Sequence, residues 1–260
     1  MVTREELTRA ATEAAERALA SFRNLTAEKI HYKTDVDLVT DIDRSVQEFL
    51  MERLAALVPG AKFLAEEQDV HPTLTDDPTF IIDPIDGTIN YVHGVPWFCV
   101  SVAYAENKVP LVGAVIAPAL GETFSAERGG GAFCNGQPLR VSARTEPIQA
   151  LGCTGLFGGS NQSREEGGAV LQQVHPALRD VRRMGAAALD LSYVAAGRFD
   201  LFWEGSLNPW DVAAAMVIVQ EAGGVVSAMD GSTDNTLFAG NILAANPALH
   251  RWFVAATTGV

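Results

Sequence analysis

The sequence predicts an α/β fold in which a mostly parallel or mixed β-sheet carries helices on its faces. Three observations predict it. From residue 150 onward, short β-branched runs alternate with stretches of helical apolar spacing. Phe80-Ile81-Ile82 is an unbroken apolar run of the kind buried on both sides of a sheet. The chain has 260 residues, 48% of them apolar, which is enough to build a full core.

The elements follow in order. Thr3 with Glu6 makes a capping-box pattern, and Leu7, Ala11, Ala14, Ala15, Ala18 and Phe22 recur behind it at helical spacing, so a first helix runs to about residue 22. Residues 33–43 are too polar for a buried strand and too β-branched for a helix; a short hairpin or loop is expected, with Asp43 capping a second helix that carries Val46, Phe49, Leu50, Leu54 and Leu57. Pro59-Gly60 stops that helix, and Lys62 to Ala65 forms a strand ending on Glu66-Glu67. After a loop comes the strand Phe80-Ile81-Ile82, which delivers Asp83 and Asp86 and then Gly87-Thr88, a helix start. Residues 98–104 and 111–116 form an antiparallel pair; 123–126, 131–136 and 139–142 continue the meander. Arg144 to Pro147 is the expected boundary between two halves of one compact unit, 1–146 and 147–260. In the second half strands are expected at 150–154, 181–184, 199–203, 225–227 and 242–245. Helices are expected at 164–174, 186–196 and 211–221, and after the cap Asn246-Pro247.

The net charge of −13 and the lack of a Lys/Arg run argue against direct nucleic-acid binding. No window reaches the roughly 20 apolar residues of a membrane span, and the start of the chain lacks a secretory pattern, so no membrane role is expected and the location is read as cytoplasmic. Cys99, Cys134 and Cys153 are too scattered for a disulfide framework and read as small apolar residues. None of the five histidines shows ligand spacing.

Asp83 and Asp86, with Pro84 restraining the bend between them, present two carboxylates beside a turn of backbone N–H groups. Carboxylates hold hard divalent cations and such N–H groups hold phosphate, so a metal-assisted phosphate site is the first hypothesis. A bare Asp-Pro-x-Asp is equally an acidic turn, and Asp211 alone reads as a helix N-cap.

The surrounding run decides between these readings. Asp83-Pro84-Ile85-Asp86-Gly87-Thr88-Ile89-Asn90 resembles the signature of the inositol monophosphatase family of magnesium-dependent, lithium-sensitive phosphatases. Trp210-Asp211-Val212-Ala213-Ala214, Glu221-Ala222-Gly223-Gly224, Thr40 to Asp43 and Glu66-Glu67 match further family motifs in the same order. The segment 182–198 looks most similar to bacterial members. The resemblance implies a layered α-β-α-β-α sandwich and hydrolysis of a small phosphate monoester, inositol 1-phosphate first, by metal-activated water. It implies two to three Mg²⁺ ions: Glu66, Asp83 and the Ile85 carbonyl at the first, Asp83, Asp86 and Asp211 at the second, and Glu66 at a weaker third. Asp43 and Thr88 would orient and deprotonate the attacking water, and Glu66 counts with them among the catalytic residues. Asp86, Gly87 and Thr88 would face the phosphate, and Gly185, Ala187 and Glu204 the leaving group. Where many members carry Thr or Ser this chain has Ala186, which removes a hydroxyl from that pocket. A homodimer is implied as well. The alternatives are the same chemistry on 3′-phosphoadenosine 5′-phosphate, fructose 1,6-bisphosphate, NADP or histidinol phosphate, or a non-catalytic regulatory role.

The all-oxygen donor set agrees with the implied cation. Mg²⁺ prefers oxygen ligands, and a carboxylate cluster without Cys or His disfavours zinc.

Overall fold

In the computed structural model, residues 2–25, 30–32, 38–68, 73–155 and 161–258 are described. The expected hairpin of residues 33–43 is described only in its flanks, and most of the loop expected at 155–163 lies outside the described residues.

Helix α1 (Arg4–Ser21) starts at the capping box of Thr3 and Glu6 and buries Leu7, Ala11, Ala14, Ala15 and Ala18. Strands β1 (Ile30–Tyr32) and β2 (Leu38–Thr40) pair antiparallel ahead of α2 (Asp41–Leu57). A seven-stranded sheet follows, built in sequence order from β3 (Lys62–Ala65), β4 (Thr79–Asp86), β5 (Cys99–Glu106), β6 (Val109–Ala117), β7 (Glu122–Glu127), β8 (Gly131–Cys134) and β9 (Gln137–Pro138). The short helix α3 (Thr88–Val92) interrupts it after β4. The second sheet has five strands in the order β11-β10-β12-β14-β13, from β10 (Leu151–Thr154), β11 (Asp180–Arg182), β12 (Leu201–Gly205), β13 (Val225–Ser227) and β14 (Asn241–Ala245). Its helices are α4 (Asn161–Val174), α5 (Ala187–Ala195), α6 (Pro209–Glu221) and α7 (Pro247–Thr257).

The two-residue side-chain period of each strand sorts the core into layers. Phe80 and Ile82 of β4 pack with Leu7, Ala14, Leu50 and Leu54 of α1 and α2, whereas Ile81 points the other way, toward α5 and α6. On β12, Phe202 faces α5 and α6 while Leu201 and Trp203 join Val170 and Phe253 of α4 and α7. Hence α5 and α6 lie between the sheets, and the sandwich reads α-β-α-β-α, as the resemblance implies. Every residue of β4 is buried, because helices cover both of its faces and strands both of its edges. None of the described helices is long and apolar enough to cross a membrane.

The antiparallel pair and meander expected from residue 98 form most of the large sheet, in which only β3–β4 pairs parallel, and the second sheet is mixed, as expected. Tight turns make the antiparallel pairs; Asn107 and Lys108 take φ 51° and 64° in the turn that folds β6 back on β5. Several expectations need correction. The expected strand at 139–142 is irregular. Val141 gives its N–H to the Ala222 carbonyl after α6, so that stretch bonds to a helix end rather than to a strand along its length. Asp43 and Asp211 are not N-caps. Thr40 and Asn208 are, and each Asp is the third helical residue, whose carboxylate returns to the cap's N–H at 2.8 and 2.7 Å. Finally, β12 starts two residues later than expected, which places Glu204 within the strand.

Candidate active site

Three chain segments deliver the carboxylates. The pairing of β4 with β5 slips between Asp83 and Asp86, so that Asp83 stands opposite Ser101 and Asp86 opposite Cys99. Such a bulge re-aims side chains at a strand end. Asp83 Oδ1 accepts the Ile85 N–H at 3.0 Å. Asp86 reaches across to the start of α5 and accepts the N–H groups of Ala187 at 3.2 Å and Ala188 at 2.7 Å, while the Cys99 Sγ lies 3.5 Å away. Glu66 follows β3 directly and ties its N–H to the Ile82 carbonyl. Asp211 arrives on the first turn of α6.

These groups interact. Burial pushes the Asp83 carboxyl well above the usual range, and Glu66, Asp86 and Asp211 push it further, Glu66 also through a side-chain hydrogen bond. Burial raises Asp86 to about 6, against the opposing pull of the Ala188, Cys99 and Ala187 donors. Glu204 is raised by burial and then by Asp190, Asp211 and Asp86, with Arg183 opposing. Six carboxylates therefore share one region with little compensating positive charge.

Whether they suit a cation can be judged from this donor set. Its atoms are all oxygen, and burial together with the neighbouring acids Glu66, Asp86 and Asp211 disfavours the charged form of Asp83 when no positive charge stands among them. That is the chemistry of a hard divalent cation site, and the residues fit. Among the described residues, no group of three or more His, Cys, Asp or Glu is already arranged as a complete metal cluster. Oxygens of Asp83, Asp86 and Asp211 are instead turned onto the backbone N–H groups just named and that of Asn208.

Asp43 and Thr88, expected as a pair, do meet. Thr88 Oγ1 lies 3.2 Å from Asp43 Oδ1 and 2.9 Å from the Ile85 carbonyl oxygen. Its single proton serves one acceptor at a time. Burial lifts Asp43 to about 7, opposed by two hydrogen bonds from Thr40 and reinforced by Glu66 and Glu67. Gly87 has φ 89°, and a Cβ there would stand 3.0 Å from the Trp97 carbonyl oxygen and 3.1 Å from the Ala186 Cβ, so glycine is required for both conformation and close approach. This contact brings the turn after β4 against the segment 185–187. Ala187 commits its N–H to Asp86.

One buried carboxylate was missed as part of this site. Asp190 accepts the Trp97 Nε1–H at 2.8 Å, and its Oδ2 is buried without a hydrogen-bond partner. Burial raises it to about 7. Asn90 completes the link by donating to the carbonyls of Trp97 at 2.8 Å and Met184 at 2.9 Å. The signal was an Asp inside the apolar run Ala186 to Ala196, a position too costly for a solvated charge. A cavity of about 530 Å³ between Lys108, Arg128 and Leu237 contains none of the residues of this site.

Comparison with known proteins places these features in context. Residues 2–259 match the model of the inositol monophosphatase family. A Thermotoga maritima protein called fructose-1,6-bisphosphatase/inositol-1-monophosphatase is 41% identical over 214 residues, covering 82% of this chain and 80% of that protein. An inositol-1-monophosphatase of Mesorhizobium japonicum is 38% identical over 86% of this chain and 84% of its own length. Among solved structures, the extragenic suppressor protein suhB from Bartonella henselae superposes with a TM-score of 0.90 at 34% identity, covering 98% of both chains.

Proposed function

The chain belongs to the inositol monophosphatase family, and on that premise we propose that it hydrolyses inositol 1-phosphate to inositol and phosphate with Mg²⁺. Membership makes it a metal-dependent phosphomonoesterase of small phosphorylated metabolites. The observation that carries the finer reading is the convergence of Glu66, Asp86 and Asp211 on the buried Asp83, with Glu204 facing the same group of acids.

In this reading Glu66, Asp83 and the Ile85 carbonyl would hold one Mg²⁺ ion, Asp83, Asp86 and Asp211 a second, and Glu66 would help hold a weaker third. When bound, Mg²⁺ polarises phosphoryl oxygens, acidifies water and neutralises a leaving alkoxide. Thr88, held by Asp43, accepts a hydrogen bond from the attacking water and fixes its direction. Asp43 takes the proton released, passed through the Thr88 hydroxyl. Gly87 and Thr88 offer backbone N–H groups to the phosphate, beside Asp86. Gly185 and Ala187 line the leaving-group side, where Glu204 bonds hydroxyls. Inhibition by Li⁺ at the second ion, a homodimer and a cytoplasmic location belong to the same reading.

A second reading keeps the chemistry and changes the leaving group. The Thermotoga maritima relative bears both a bisphosphatase and a monophosphatase name, which supports fructose 1,6-bisphosphate as the rival. Turnover with Mg²⁺ across a panel of inositol 1-phosphate, fructose 1,6-bisphosphate, 3′-phosphoadenosine 5′-phosphate, NADP and histidinol phosphate separates the two. We expect the highest kcat/KM for inositol 1-phosphate; a rival preferred by about a hundredfold replaces it, since that ratio is a difference in transition-state binding.

A further inference from the structure

Gly155 follows β10 directly and is buried. Strand β10 runs parallel beside β12 with Thr154 opposite Trp203, so the next step along both chains brings Gly155 level with Glu204. A Cβ placed on Gly155 would overlap Oε1, Cδ and Oε2 of Glu204. The carboxylate thus lies where a side chain at 155 would be.

Two details separate this glycine from Gly87 and Gly113. Gly155 is not among the residues of positive φ, so its backbone does not demand glycine. The nearest atoms a Cβ would meet all belong to the end of one flexible side chain, whereas at Gly113 the nearest are backbone atoms of Ala214. Glu204 is only partly buried as a residue, and its flexible side chain is the part that a Cβ at 155 would push. An added methyl group would therefore be accommodated by turning Glu204 away, at small cost to the fold.

We infer that Gly155 is a positioning residue whose missing side chain reserves the place of the Glu204 carboxylate beside Asp190 and Asp211. This rests on the proposed reading of Glu204 as the acid that bonds leaving-group hydroxyls; on that reading, position 155 sets selectivity among leaving groups.

The test uses the full chain with Mg²⁺ and the variants Gly155→Ala, Glu204→Ala and the double substitution. Crystal structures report the carboxylate, melting curves report the clash, and kinetics compare inositol 1-phosphate with phenyl phosphate, whose ring carries no further hydroxyl. In Gly155→Ala the Glu204 carboxylate is displaced. The inositol 1-phosphate to phenyl phosphate ratio of kcat/KM falls about tenfold through KM, the scale of one charge-assisted hydrogen bond. The double variant is no worse than Glu204→Ala, because the two act through one group. Any fall in melting temperature from alanine at 155 disappears in the Glu204→Ala background. A displaced carboxylate with the ratio unchanged in both single variants upholds the positioning role and removes the hydroxyl-binding reading of Glu204. A carboxylate that stays in place beside the new methyl group, or kinetic losses that add in the double variant, overturns the inference.

Discussion

Asp43 sits at the bottom of the α2 N-terminus with one carboxylate oxygen held by Thr40 and the other facing Thr88. Burial raises it to about 7, so near neutrality the carboxyl of the metal-free protein gives up its proton far less readily than an ordinary aspartate. A base works only when ionised, so activity should climb as pH rises toward that value, and a nearby cation should draw the limb to lower pH. Asp43→Asn keeps the size and one acceptor but cannot take a proton. Its expected effect is a loss of about 10²–10⁴ in kcat/KM together with loss of the acid limb, checked by a pH–rate profile of both proteins. At this scale the sequence was legible where a motif spelled out several residues together, as from Asp83 to Asn90. It misled at Asp43 and Asp211, because an Asp at the cap and an Asp three positions later satisfy the same N–H groups and look alike without coordinates. Asp190 and Trp97 gave no local sign of meeting, since 93 positions separate them.

The elements position these residues through close contacts that tolerate little change. Strand β6 meets α6 at Gly113, where a Cβ would overlap the Ala214 carbonyl oxygen and stand 2.9 Å from its C and Cα. Backbone atoms cannot rotate away, so helix and sheet must separate. Ala214 lies one turn beyond Asp211 on the same helix, and the shift reaches the carboxylate region. Gly113→Ala should destabilise by about 1–3 kcal/mol, lowering Tm by about 2–4 °C per kcal/mol, and should raise the Mg²⁺ concentration for half-maximal activity. Calorimetry with a Mg²⁺ titration of activity checks both. Helices α1, α2, α5 and α7 were readable because periodicity and caps are local signals, and β4 because an unbroken apolar run shows double burial. The antiparallel turn at Asn107 and Lys108 was readable too, whereas the parallel pairing of β3 with β4 was less so, because it depends on which distant strand becomes the neighbour. Strand β9 spans only Gln137–Pro138, too short to give a period.

On the scale of the whole molecule, the layered sandwich brings β3, β4 and α6 to one place and so gathers acids far apart in the chain. Asp83 is 2% exposed, deep enough that its charge is poorly screened from Glu66, Asp86 and Asp211. Such a gathering opposes folding until positive charge joins it, so the site works against the metal-free protein's stability. A bound ion reverses the balance by mass action, with about 2.7 kcal/mol gained at a hundred times Kd. The Asp83–Glu66 contact links the two sheet strands, while Asp211 answers from the helix between the sheets.

Thermal melting of wild type and Asp83→Asn, each with and without Mg²⁺ and paired with a turnover assay, tests this claim most directly. For wild type, Mg²⁺ at a hundred times Kd should raise Tm by roughly 5–10 °C. Asp83→Asn, which keeps an acceptor for the Ile85 N–H and removes the charge, should melt higher than wild type without Mg²⁺, gain little when the ion is added, and lose turnover. A variant that keeps Mg²⁺-dependent turnover and the full Mg²⁺-induced rise in Tm would contradict the account.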